Sequence, residues 1–92
     1  MNIKKDEVHI SSLVVQLEPQ YITSVRRVIE ARGDAEIAAA DPSGKLVVVL
    51  TTENSKTITH FTEDTTELKG VMSVSMVYHQ VEQPHKLDEA IS

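Results

Sequence analysis

A chain of 92 residues, 40% hydrophobic but only 3% aromatic, suffices for one domain whose core must be aliphatic. Its 14 acidic against 9 basic residues give a formal charge of −5, which argues against the clustered Lys and Arg that phosphate-backbone binding needs and is compatible with a basic partner. The absence of cysteine excludes disulfides, thiolate-ligated zinc, iron–sulfur ligation and a thiol nucleophile.

The first seven residues, Met1 to Glu7, lack the apolar core of a secretory signal, and no apolar run approaches a membrane span. The expectation is a cytoplasmic protein with no direct membrane insertion. Residues 1–7 read as a flexible N-terminus, 8–80 as one folded domain and 81–92, with Pro84, as a mobile C-terminal tail.

Residues 8–17 read as a strand, with Leu13, Val15 and Leu17 on one face and Ile10, Ser12, Val14 and Gln16 on the other. Aliphatic residues on both faces suit a central position. Pro19 stands where a first helical residue has no N–H to lose, and Ile22, Val25, Val28 and Ile29 follow as an amphipathic stripe. With Arg32 near the end and Gly33 to close it, the spacing predicts a helix over 19–32. A weaker, Ala-rich strand over 34–40 carries Ile37 as its one large apolar residue. Asp41-Pro42-Ser43-Gly44 has type I turn chemistry, and residues 45–51 form the most apolar strand, so the two strands read as a hairpin.

Asn54 or Ser55 can cap a second helix, whose buried stripe is Ile58, Phe61, Thr65 and Leu68 and which ends at Lys69-Gly70. Its threonines, with Glu63, Asp64 and Glu67 near the negative end of the dipole, make it depend on packing rather than propensity. Over 71–79, large residues Met72, Val74, Met76 and Tyr78 alternate with Ser73, Ser75, Val77 and His79, and alternation assigns Met72, Val74 and Met76 to the core, with Tyr78 ending that face at the rim.

The order βαββαβ predicts a ferredoxin-like α+β domain: a four-stranded antiparallel sheet, strand order 4-1-3-2, with two helices on one face. The expected core is Leu13, Val15, Leu17, Ile22, Val25, Ile29, Ile37, Leu46, Val48, Leu50, Ile58, Phe61, Leu68, Met72, Val74 and Met76. The helix-free face then shows Ser12, Val14 and Gln16 with Ile10, then Val47, Val49 and Thr51, then Ser73, Ser75, Val77 and His79. A solvated sheet face is normally more polar than this one, so the pattern points to a docking surface on which a helix could lie.

Catalytic signals are missing. His9, His60, His79 and His85 do not fall at metal-ligand spacing, no glycine-rich phosphate loop occurs, and no serine has a local base. The central strands lack the stacking aromatics of an RNA-recognition sheet. No enzymatic activity, metal, cofactor or nucleic-acid partner is therefore expected.

Three motifs in order carry a family resemblance: Ser12-Leu13-Val14-Val15-Gln16; the turn with Ser43-Gly44-Lys45-Leu46-Val47-Val48-Val49; and Gly70-Val71-x-x-Val74-Ser75-x-Val77-Tyr78-His79-Gln80 with Glu82. They resemble the NapD family, small cytoplasmic chaperones for periplasmic nitrate reductase, and the match in order and element type spans residues 8–82. The resemblance implies a protein that binds the twin-arginine signal peptide of the reductase's catalytic subunit and restrains export until its molybdenum cofactor and iron–sulfur cluster are in place. On this reading Ser12, Val14, Gln16, Val47, Val49, Ser73, Ser75, Val77 and His79 bind the peptide, and Glu36, Glu53 and Glu82 are the acids available to its arginines. The competing reading is a small-molecule sensing or regulatory domain that dimerises through its sheet face. A weak homodimer and addition of a peptide to the edge strand 71–79 are further uses of the same sheet.

Overall fold

A central strand paired on both sides organises the molecule. In the computed structural model, which describes residues 8–82, β1 (Val8–Leu17) pairs antiparallel with β3 (Lys45–Thr52) on one flank and β4 (Val71–Glu82) on the other. β2 (Ala35–Asp41) pairs with the outer edge of β3, giving the order β2-β3-β1-β4. The crossovers carry α1 (Ile22–Glu30) and α2 (Ser55–Thr66). Both helices contribute to one core with Leu13, Val15, Leu17, Leu46, Val48 and Leu50, so they share a face of the sheet. The architecture is the expected ferredoxin-like one. β4 continues past residue 80 to Glu82; the stretches 1–7 and 83–92, expected to be flexible, lie outside the described residues.

Local chemistry explains most boundaries. The predicted helix over 19–32 divides into a 3-10 turn, Pro19–Tyr21, followed by α1, which stops at Glu30. Only Val25 and Ile29 of its stripe are buried, while Val28 is 48% exposed at the margin of the contact. At α2 the Asn54 side chain accepts the Thr57 N–H at 3.1 Å, satisfying one of the otherwise unpaired first-turn donors. Thr62 and Thr66 donate their hydroxyls to the carbonyls of Ile58 and Thr62 at 3.0 and 2.7 Å, so hydroxyls that compete with a helix are absorbed by it. The Arg32 guanidinium lies 5.1 Å from the Phe61 ring centre and joins the end of α1 to the buried side of α2.

The hairpin turn forms as its residues require. Gly44 N–H donates to the Asp41 carbonyl at 2.9 Å and Ser43 N–H to Asp41 Oδ1 at 2.8 Å. Those bonds to Ser43 hold the Asp41 carboxyl below the usual carboxylate range, with Lys45 adding a smaller pull in the same direction.

The core differs from expectation at β4. Met72 and Met76 are 64% and 51% exposed, whereas Val74 and Val71 are partly buried against the core. The cause is a length mismatch: β4 has 12 residues against 10 in β1. Gln16 pairs with Ser73 and Leu17 with Val71, leaving Met72 over; Ser12 pairs with Tyr78 and Leu13 with Met76, leaving Val77 over. Each extra residue interrupts the strict alternation of side chains. Met76, opposite Leu13, keeps the helix-side parity but lies on an edge strand covered on one flank only. Tyr78, expected at the rim of the core face, instead faces away from the helices with Ser12. His79, expected on the open face, is opposite Ser11 and belongs to the helix side.

Candidate functional site

Residues directly opposite one another on antiparallel strands share a face, so the register builds the helix-free surface row by row. One row runs Asp41, Lys45, Gln16, Ser73 from β2 to β4; the next runs Ala39, Val47, Val14, Ser75; a third runs Glu36, Val49, Ser12, Tyr78. Beyond them lie Thr51, Ile10 and Gln80, then Val8 and Glu82. Ile10, Val14, Val47 and Val49 are only partly covered, and among the described residues no element packs over them. They form an apolar floor with small residues, Ala39 and Ser75, at either border of its widest row.

From Gln16 to Val8 the floor extends about 27 Å at roughly 3.4 Å per residue, and its four strands span about 14 Å at ~4.8 Å spacing. An α-helix is about 10–12 Å across, and about 18 residues of it cover 27 Å. One helix fits.

The acids are not scattered. Glu36 is the second residue of β2, Glu53 follows β3 and Glu82 ends β4, so all three lie in the half of the sheet where β1 starts, Glu36 level with Ser12 and Glu82 with Val8. Glu36, with Asp34, Val49 and Thr51, lines a shallow depression at the β2–β3 corner; Glu53 lines its neighbour, which shares Asp34 and Thr51. Asp34 is engaged by Arg32 at 3.2 Å, but Glu36 and Glu53 make no ion pair among the described residues. At the β4 corner the Tyr78 hydroxyl donates to Gln80 Oε1, and Gln80 Nε2 donates to Glu82 Oε2 at 2.9 Å. This ladder follows from the Val77 interruption, which puts residues 78, 80 and 82 on one face. The surface therefore carries its acids toward one end and has a middle that is apolar and small-sided.

Of the residues singled out from sequence, Ser12, Val14, Gln16, Val47, Val49, Ser73 and Ser75 lie together on this face. Val77 is the unpaired residue at its border, and His79 leaves the group. His79 Nε2 approaches His9 Nδ1 at 3.2 Å with ring centres 5.4 Å apart, one imidazole hydrogen-bonding the other on the helix side. Among the described residues no cluster of three metal-ligating side chains exists. Tyr78, Gln80 and Ala39 join the face without having been foreseen. The signal for Tyr78 was the excess length of the last strand, which is visible only once both strand ends are fixed.

Comparisons with known proteins bear on the family and the fold. A family model described as NapD protein matches residues 8–83. Chaperone NapD of Escherichia coli (strain K12) is 39% identical over 75 residues, covering 80% of this chain and 86% of the relative. Chaperone NapD of Haemophilus influenzae is 29% identical over 79 residues, covering 85% of each. The solution structure of the E. coli Tat proofreading chaperone protein NapD matches with a TM-score of 0.71 and 38% identity over 83% of this chain and 81% of that one. The ACT domain from GTP pyrophosphokinase of Chlorobium tepidum, at 14% identity and a TM-score of 0.54 over 78% and 88% of the two chains, shares the fold alone.

Proposed function

The chain belongs to the NapD family of chaperones, and from that footing we propose that it binds the twin-arginine signal peptide of the catalytic subunit of periplasmic nitrate reductase. In this reading it acts in the cytoplasm, catalyses nothing, and restrains export of the subunit until its cofactors have been inserted. The observation that carries the proposal is the uncovered floor of Ile10, Val14, Val47 and Val49 with its acids gathered toward one end. A signal peptide has a basic head followed by an apolar segment, the same polarity as this surface.

The apolar segment, folded as a helix, lies along Val14, Val47 and Val49, where Ser75 and Ala39 leave room for its sides. Removing this surface from water supplies affinity, at about 25 cal/mol per Å2 before the losses of association are subtracted. The arginine head lies toward Glu36 and Glu53, with Glu82 and the Tyr78 ring at the other edge of the same half. Charged groups at that exposed rim contribute more to the rate and direction of approach than to affinity.

Titration of the full chain with the twin-arginine peptide tests the reading. Val14→Asp and Val49→Asp put a carboxylate beneath the apolar segment and are expected to abolish binding while leaving the far-UV circular dichroism spectrum unchanged. Binding of either folded variant with undiminished affinity would show that the peptide lies elsewhere.

A further inference from the structure

We infer that His9 and His79 form a two-histidine site for a transition-metal ion of the zinc class, which clasps β1 to the far end of β4. The site lies on the helix side of the sheet and is independent of the peptide reading.

The two histidines are 70 positions apart in the chain, so no ligand spacing betrays them in the sequence. The register brings them together. His9 is opposite Val81 and Ser11 is opposite His79, which makes His9 and His79 diagonal neighbours on one face of adjacent strands. That placement depends on the surplus residue Val77. Without it, strict alternation would turn His79 to the open face, away from His9. Interruptions of this kind re-aim side chains and are over-represented beside functional sites.

The ring nitrogens converge as ligands do. His9 Nδ1 lies 3.2 Å from His79 Nε2, and the ring planes are within 16° of each other. Two imidazoles on one tetrahedral zinc, each at about 2.05 Å, hold their nitrogens roughly 3.3 Å apart. The same separation serves the hydrogen bond between the two rings, in which one nitrogen carries a hydrogen. Binding moves that hydrogen to the far nitrogen of its own ring and turns the rings until both lone pairs meet at the ion. His9 is 8% exposed and fixed in the sheet, whereas His79 is exposed. One ligand is anchored and the other is open to an arriving ion.

Ser11 supplies an independent sign. Its hydroxyl is fully buried and has no hydrogen-bond partner among the described residues, and it stands on the same face, directly opposite His79. Buried polar atoms are seldom left unpaired. A water on the ion gives this one a partner. The donor set also selects the ion. Neutral imidazoles suit zinc, copper and nickel, while magnesium and calcium take oxygen ligands. Among the described residues no third His, Asp or Glu joins the pair, so water fills the remaining positions.

Calorimetric titration of zinc chloride into the full chain, carrying no affinity tag, tests this. The expected result is saturable binding of one ion that magnesium does not displace, with a melting temperature that climbs with zinc concentration. His79→Ala is expected to weaken binding at least about tenfold and to cancel the thermal shift. His60→Asn and His85→Asn leave both unchanged. Because His9 is buried, its part is read in the wild type, which also serves should a variant fail to fold. There the imidazole nitrogen resonances of His9 and His79 move on adding zinc, while those of His60 and His85 stay. No saturable binding, undiminished binding in folded His79→Ala, or resonance changes confined to His60 or His85 overturns the inference.

Discussion

Gly70 has the least latitude of any residue at the junction between α2 and β4. Its φ is +93°, and a Cβ there would lie 2.3 Å from a ring atom of Tyr21. Gly70→Ala therefore combines backbone strain with a clash against a ring that packs on the core, and is expected to cost about 2–4 kcal/mol, read as a lower urea midpoint. Asp41 governs a pH effect of defined sign. Its folded carboxyl is held below the ordinary range by the Ser43 hydrogen bonds, so its contribution is complete above the unfolded carboxylate pKa and disappears as pH falls through the lowered folded value. Asp41→Asn keeps an oxygen that accepts the Ser43 N–H but cannot titrate. Melting curves of the two proteins should converge in acid and separate toward neutral pH, with the wild type the more stable; a constant separation would remove Asp41 from the acid response.

Elements differ in how far their sequence determines them. The hairpin turn, the Asn54 cap and the β1 and β3 faces were all legible, because each rests on local chemistry or on uninterrupted alternation. Asn54→Ala is expected to cost about 1 kcal/mol through the lost bond to Thr57 N–H. β4 was legible as a strand but not in its facing. Its two surplus residues, Met72 and Val77, bear no glycine, proline or other mark, and the alternation of large and small side chains reads smoothly through both. Pairing with β1 supplies the missing information, and it moves Tyr78 and His79 to faces opposite those the pattern suggested. Side-chain truncation measures the difference: Leu13→Ala, fully buried, should cost about 2–5 kcal/mol, while Met76→Ala, half exposed beside it, should cost under about 1 kcal/mol. Equal losses would mean that Met76 is core after all.

At the scale of the molecule, the sheet does two separable jobs. One face closes the core under both helices with Leu13, Val15 and Leu17 of β1 and Leu46, Val48 and Leu50 of β3. The other face keeps Ile10, Val14, Val47 and Val49 accessible, although burying them beneath a further element would stabilise the monomer. On the proposed reading a partner explains a surface left apolar at that expense, and the acids toward one end give the partner a direction. Raising the salt concentration should slow association with a basic peptide more than it speeds dissociation, because screening acts on the approach to the exposed glutamates. The central claim, that Val14 and Val49 floor a peptide site, is tested most directly by calorimetric titration of the twin-arginine peptide into the wild type and into folded Val14→Asp. Saturable binding to the wild type and none to the variant is the predicted result; equal affinity for both would contradict it.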